Sequence, residues 1–320
     1  MQPKNWAPTE PVSKGALGYH NAVISASWNN DNLYEFIPFL QRAIRENDVV
    51  VDFGAGTGAS AVRYLERLGT KIKLLLVDNS PAWLAKAHEL LKDRSDVDFF
   101  ILERKEEGYA GLDEVIGKNK ADAVVSANTF HLVPDLKSTF SGIANALKPE
   151  RPFLFQSGNI QRNSRPEGIL LIEDTIHRTH DIALEIIRNE QMFEVYRRNL
   201  DEQINMQEPQ RRKIFPDPRD ISLYLDALKQ TGFEHEAPVY KVIKVRYPDW
   251  MDFLRVKRLQ AGILPEIGGR YPNEEEELDR DNAIVMAANR LFDELRANNP
   301  FADEEGFCVE WAYVRAVKKP

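Results

Sequence analysis

Residues 49–60 read VVVDFGAGTGAS: an apolar run interrupted by one aspartate, then three glycines at alternate positions, then small residues. A strand emptying into Gly54-Ala55-Gly56-Thr57-Gly58, with a helix starting at once, bares backbone N–H groups at a strand end. Glycine is needed where the chain must turn tightly and a ligand must approach the backbone closely. The next apolar run ends in Asp78, 24 residues after Gly54. An ionised carboxylate only accepts hydrogen bonds, so Asp78 suits the paired hydroxyls of a ribose. Two ligand classes use this geometry, and Asp52 separates them. Gly54, Gly56 and Ala59 satisfy the G-x-G-x-x-G/A spacing of a dinucleotide site. An anion at Asp52 would repel a pyrophosphate in a low-dielectric strand end, whereas a ligand with a cationic amino group would gain from it.

Asp52-Phe53-Gly54-Ala55-Gly56-Thr57-Gly58 matches without a gap an acid, any residue, then G-x-G-x-G. Over residues 40–157 the chain thereby resembles the class I S-adenosylmethionine-dependent methyltransferases. The resemblance implies S-adenosyl-L-methionine as cofactor and S-adenosyl-L-homocysteine as product. It implies cofactor contacts from Asp52, Gly54, Ala55, Gly56, Gly58 and, on the ribose, Asp78. Asn79 and Arg104 fall near the adenine, and Ser126 falls in the fourth strand beside the methionine end. An N-terminal helix carrying Tyr19 and His20 matches the family's lid, which places both beside cofactor or acceptor. His131, in the loop after the fourth strand, stands as a candidate general base, with loop ordering as the alternative reading.

These residues must be held by a framework, and the hydrophobic pattern supplies one. Apolar runs at 49–53, 71–78, 97–102, 121–127 and 153–156 read as buried strands separated by helices such as 59–68 and 81–91. Ser80 and Pro81 predict the cap and first residue of the second of these, and Asp135 caps a helix to residue 147. The alternation predicts an α/β fold: a doubly wound, mostly parallel Rossmann-like sheet with an antiparallel last strand and helical cap insertions. Helices are expected at 19–28 and 33–44, one long helix at 174–200, and others at 217–232, 250–259 and 281–298. Strands are expected at 238–247 and 307–317. The expected organisation is an N-terminal helical lid (1–45), a cofactor-binding core (46–160) and a helical cap insertion (161–215). A core return (216–247), a second helical insertion (248–304) and a final core strand (305–320) complete it.

Composition limits the partners. Lys plus Arg number 42 and Asp plus Glu 50, a net charge of −8 that disfavours a general nucleic-acid binder. One cysteine, Cys308, supports neither an intramolecular disulfide nor a multi-cysteine metal site and fits a reducing, cytoplasmic compartment. No apolar run approaches the ~20 residues of a membrane helix, and the first 18 residues lack an apolar signal segment. The lone cysteine also weakens a cytosine-C5 enzyme. Asn128-Thr129-Phe130-His131 is not the Asn-Pro-Pro-Tyr-like loop of adenine-N6 enzymes, and Ser126-Ala127 lacks the aspartate of the magnesium-dependent catechol type.

The remaining expectation is methyl transfer to O, N or C of a small, partly apolar metabolite. Tyr19, Asn128, Phe193, Tyr196 and Trp250 are its candidate pocket residues. No metal is expected: His177 and His180 share a helix face, but further ligands are not evident, and a solvated polar first turn is the better reading. Arg211-Arg212-Lys213 reads as a solvated loop cluster, and residues 274–277 as a solvated approach to the last long helix. Two rivals stand beside the enzyme: a protein binding S-adenosylmethionine without transferring methyl, and a nicotinamide-dependent oxidoreductase. The sequence carries no reading of oligomeric state.

Overall fold

A computed structural model describes residues 5–106 and 108–320. Strands β1 (Val49–Phe53), β2 (Lys73–Asp78), β3 (Val97–Ile101), β4 (Ala123–Ala127) and β5 (Pro152–Ser157) pair in parallel in the order β3-β2-β1-β4-β5. They are mostly apolar and buried on both faces because each face is covered. Strand side chains alternate, so Val50, Leu74, Leu76 and Val125 enter one apolar layer while Val51, Leu75, Val77 and Val124 enter the other.

A two-residue parallel pair, β6 (Ile160–Gln161) and β7 (Arg219–Asp220), stands apart from the main sheet. Beyond β5 the sheet ends with β8 (Phe233–His235), β9 (Val239–Arg246) and β10 (Gly306–Lys318). The thirteen-residue β10 runs antiparallel to β5, as expected of the last strand, and its outer edge is shared by β8 and β9. Strand order reverses between β1 and β4, and in open α/β sheets the crevice at such a point, outside the carboxyl ends, is where ligands bind.

Helices α1 (Lys14–Ser25) and α2 (Ser27–Ala43) precede β1; α3 (Ala59–Arg67) and α4 (Pro81–Leu91) connect the first three strands. Helices α5 (Leu112–Ile116) and α6 (Leu136–Ala146) flank β4. After β5 come α7 (Ile172–Asn189), α8 (Glu194–Arg197), α9 (Leu200–Ile214) and α10 (Ile221–Gln230). Helices α11 (Tyr247–Leu254), α12 (Lys257–Ile263) and α13 (Glu274–Asn298) lie between β9 and β10.

The insertions depart most from the sequence expectation. The helix expected over 174–200 ends at Asn189: Glu190 is extended, a 3₁₀ turn spans Gln191–Phe193, and Arg197 Nε donates to Ile187 O at 3.1 Å. That bond satisfies a last-turn carbonyl and lets Phe193 fold inward. The helix expected over 250–259 divides between α11 and α12, and the break between α1 and α2 is at the extended Ala26. Residues 274–277 form the first turn of α13 rather than an approach to it. Asn273 Oδ1 accepts from Glu275 N and Glu276 N, and four glutamates meet the positive end of the helix. The Ser80 hydroxyl makes no cap bond; Asp78 Oδ1 accepts Ser80 N instead, at 2.8 Å.

Candidate functional site

The three glycines after β1 all have positive φ: Gly54 at 75°, Gly56 at 55° and Gly58 at 79°. Gly54 N and Ala55 N both donate to Val77 O, at 2.8 and 3.1 Å, folding the loop onto the end of β2. A Cβ at Gly54 would lie 2.3 Å from Thr129 Cγ2, and one at Gly58 would lie 2.9 Å from Ala87 Cβ. At Gly56 the nearest atom is Trp83 Cε3 at 3.7 Å, so of the three this glycine alone could carry a Cβ in ordinary contact. Asp78 Oδ2 accepts Gly56 N at 2.7 Å, so the carboxylate that closes β2 also holds the loop. Burial lifts the Asp78 carboxyl, against the backbone hydrogen bonds it accepts.

Asp52 is 1% exposed, and its Oδ2 has no hydrogen-bond partner among the described residues. Burial, with Asp78 adding, pushes its carboxyl up to about 7. A buried carboxylate oxygen without a donor is costly, and a cation arriving beside it would relieve the cost. The open Gly56 and the unpartnered Asp52 therefore fit a ligand that offers an ammonium group near β1 and hydroxyls near β2. Ser126 is fully buried and its hydroxyl donates to Phe53 O at 2.7 Å, so it ties the ends of β1 and β4 together. Ala55 is buried within the loop.

Helix α1 is anchored to the glycine loop. His20, 5% exposed, places Nδ1 3.0 Å from Thr57 Oγ1, and burial followed by Lys86 lowers its pKa and keeps the ring neutral. The Tyr19 ring lies 4.2 Å from Trp83 of α4 and 6.4 Å from Phe253 of α11. Its hydroxyl is pushed up to about 12 by burial, then by Glu173 and Asp78. Tyr19 thus feels both the β2 acid and a second buried acid, Glu173, that the sequence reading passed over.

That second acid belongs to a hydrogen-bonded group beyond β4 and β5. Asn128 has φ 53° and its N–H donates to Gln156 O at 2.8 Å. His131, in a 3₁₀ turn and 7% exposed, has Nδ1 3.1 Å from Ser157 Oγ and Nε2 3.4 Å from Glu173 Oε1. Ser157 Oγ also donates to Asn128 Oδ1 at 3.2 Å and accepts Asn159 N at 3.1 Å. Glu173, at the start of α7, is 3% exposed, its N–H donates to Asn159 Oδ1 at 2.9 Å, and its Oε2 has no partner among the described residues. Burial lowers His131 to about 3, with Arg219 contributing, and raises Glu173 well above the usual carboxylate range. Thr129 joins this group to the loop, its Oγ1 lying 3.3 Å from Gly54 O. The available signal for Glu173 was a charge directly abutting the apolar Ile169-Leu170-Leu171-Ile172 run; the helix start was read two residues late, at Asp174.

Asn79 adjoins Asp78, and the other expected site residues lie outside this hydrogen-bonded group. Asn79 is exposed just past β2. Arg104 is exposed and its backbone bridges Tyr109 in a turn after β3. Phe193 is fully buried in an apolar layer, and the Tyr196 hydroxyl donates to Asp279 Oδ2 of α13 at 2.8 Å, so both serve packing within the cap. Trp250 is also core: it packs 5.2 Å from Phe307 and its Nε1 donates to Thr175 Oγ1 at 3.3 Å, two residues from Glu173.

The first turns of α7 are not solvated as expected. His180 is buried with Nε2 3.0 Å from Glu266 Oε1, and His177 Nδ1 receives Arg211 Nη1 at 3.0 Å. Arg211 itself is 3% exposed in α9, not a loop. Among the described residues no helix is long and apolar enough to cross a membrane.

Residues 51–150 match the family model described as a methyltransferase domain, an interval running from β1 through β4 to the start of β5. This stretch is a methyltransferase domain. The chain's sheet, mostly parallel with an antiparallel last strand, has the Rossmann-like fold of the class I methyltransferases. No curated protein matches the chain. Among solved structures, the YcgJ protein of Bacillus subtilis is similar at 14% identity and TM-score 0.52, over 90% of this chain and 99% of that one. Phosphoethanolamine N-methyltransferase 2 of Haemonchus contortus, solved with phosphomonomethylethanolamine and S-adenosylhomocysteine, is similar at 18% identity and TM-score 0.52. That match covers 98% of this chain and 59% of the other. The [4+2]-cyclase SpnF is similar at 14% identity and TM-score 0.51, over 100% and 88%. At these identities the likeness establishes the fold alone.

Proposed function

We propose that the protein transfers a methyl group from S-adenosyl-L-methionine to a small, partly apolar acceptor in a reducing, cytoplasmic compartment. The observation that carries this reading is Asp52: a buried carboxylate with an unpartnered oxygen, beside a three-glycine loop, inside a methyltransferase domain. When bound, the cofactor supplies a sulfonium-activated methyl group for in-line displacement. Asp52 accepts its ammonium, Gly56 lets it approach the backbone, and Asp78 accepts from its ribose while keeping the loop in place. The α1 helix acts as lid, with His20 fastened to Thr57 and Tyr19 over Trp83, and helices α7–α9 and α11–α13 cap the acceptor side. Their work is to align acceptor and methyl group and to exclude water.

Asp52 also weighs against a nicotinamide dinucleotide, whose pyrophosphate an anion there would repel. The net charge of −8 favours a small-molecule acceptor over nucleic acid. Calorimetric titration of the protein with S-adenosylmethionine, S-adenosylhomocysteine, NADH and NADPH tests the reading; the two sulfur ligands bind and the nicotinamides do not.

A further inference from the structure

The family match says nothing about what receives the methyl group, and a cation site and glycine loop would serve any acceptor. The group around Glu173 is different in kind. It lies beyond β4 and β5, not on the cofactor strands β1 and β2, yet it joins the glycine loop through Thr129. Its hydrogen bonds can be followed atom by atom. The Ser157 hydroxyl has one proton, given to Asn128 Oδ1, and its lone pairs accept from Asn159 N–H and His131 Nδ1–H. With Nδ1 as donor, a neutral His131 presents a bare Nε2 to Glu173 Oε1, 3.4 Å away. Two acceptors cannot face one another in a dry interior, so this pair holds a proton between them. Within this hydrogen-bonded group, the side-chain atom left buried and without a partner among the described residues is Glu173 Oε2.

We infer that Glu173 Oε2 receives the methyl acceptor, and that this acceptor is a nucleophile bearing an N–H or O–H hydrogen, an amine or a hydroxyl compound. The inference rests on the methyltransferase reading above and adds the acceptor's chemistry to it. Glu173 is a catalytic residue in this arrangement, and His131, which reaches the acceptor only through it, is a positioning residue and proton store.

As the acceptor's lone pair bonds to the methyl carbon, the carbon–sulfur electron pair stays on the donor's sulfur. The acceptor's N–H or O–H proton passes to Glu173 Oε2, while the proton on Oε1 passes to His131 Nε2. The positive charge that leaves the sulfonium thereby passes to the imidazole, which, being held toward its neutral form by burial, then gives the proton up to water, so atoms and charge balance. The surroundings that tune the pair are few: Arg219 on β7, whose Nη2 donates to Phe130 O at 2.7 Å, Tyr224 on α10, Tyr19 on α1 and Asp174 on α7.

The test compares wild type with Glu173→Gln and His131→Gln by three readouts. Infrared difference spectra of wild type minus Glu173→Gln at neutral pH should contain the carbonyl stretch of a protonated carboxylic acid; its absence overturns the shared proton. S-adenosylhomocysteine should bind all three proteins within about 3-fold. Release of S-adenosylhomocysteine from S-adenosylmethionine with a panel of aliphatic amines, phenols and alcohols should fall about 100-fold or more in Glu173→Gln. In His131→Gln the pH profile of that release should shift. Turnover retained in Glu173→Gln, or no wild-type turnover with any N–H or O–H acceptor in the panel, overturns the inference while leaving the cofactor site standing. Failure of S-adenosylhomocysteine to bind wild type would instead overturn the methyltransferase reading beneath it.

Discussion

Asp52 is the residue on which the cofactor assignment turns, and its burial has a consequence for pH. Its carboxyl, raised to about 7, holds its proton more tightly folded than unfolded, where the value is near 4. Below about 4 both states are protonated and nothing is lost. As pH climbs from about 4 to about 7 the unfolded chain releases that proton first, so Asp52 progressively destabilises the ligand-free protein, by on the order of 4 kcal/mol at completion. Asp52→Asn removes this slope, and denaturant unfolding of both proteins at pH 5 and 8 should show the variant gaining on wild type at the higher pH. An ammonium ligand needs the ionised form, so S-adenosylhomocysteine affinity should rise as pH goes from 6 toward 8 in wild type. Asp52→Asn should bind about 10-fold or more weakly without that dependence; equal pH profiles would contradict the role given to Asp52. Asp52, Asp78 and the glycines were legible because motif spacing encodes them. Glu173 was not, because its partners come from sequence-distant β4, β5 and the turn after β4, and only the fold assembles them.

At the scale of elements, the turn from β1 into α3 and the α1 lid make separate predictions. Gly54→Ala puts a methyl group into Thr129 at a φ of 75° and should destabilise the protein by about 2–4 kcal/mol. Gly56→Ala also has positive φ but its Cβ makes only an ordinary contact with Trp83, so it should cost about 1 kcal/mol in stability and chiefly weaken S-adenosylhomocysteine binding. Parallel unfolding and binding curves check the pair, and the reverse ranking would refute the geometry of the loop. Tyr19→Ala should leave stability near wild type and raise the dissociation rate of S-adenosylhomocysteine about 10-fold in stopped-flow measurements; an unchanged rate would remove the lid role. The core strands were read to within two residues because each is a short apolar run closed by a turn residue. Cap helices were read less well: an amphipathic stripe marks the buried face, not where the chain breaks. Nothing near residue 190 announces that Arg197 will satisfy a carbonyl of α7 and end it there.

Across the whole molecule, one sheet carries two separable tasks. The first half, β1 to β3, holds the acid–glycine–acid series, while the ends of β4 and β5 with the first residues of α7 hold the Glu173 group. The reversal of strand order between β1 and β4 brings the two together at one carboxyl edge, with α1 spanning them. Both insertions pack into the same apolar layer as α1 to α4, so the cap is continuous with the cofactor half and not a detached domain. The measurement that bears most directly on this account is the parallel calorimetric titration with S-adenosylmethionine, S-adenosylhomocysteine, NADH and NADPH. Micromolar binding of the two sulfur ligands, lost in Asp78→Ala and weakened in Asp52→Asn, is the predicted result. Binding of a nicotinamide cofactor, with the sulfur ligands inert, would contradict it.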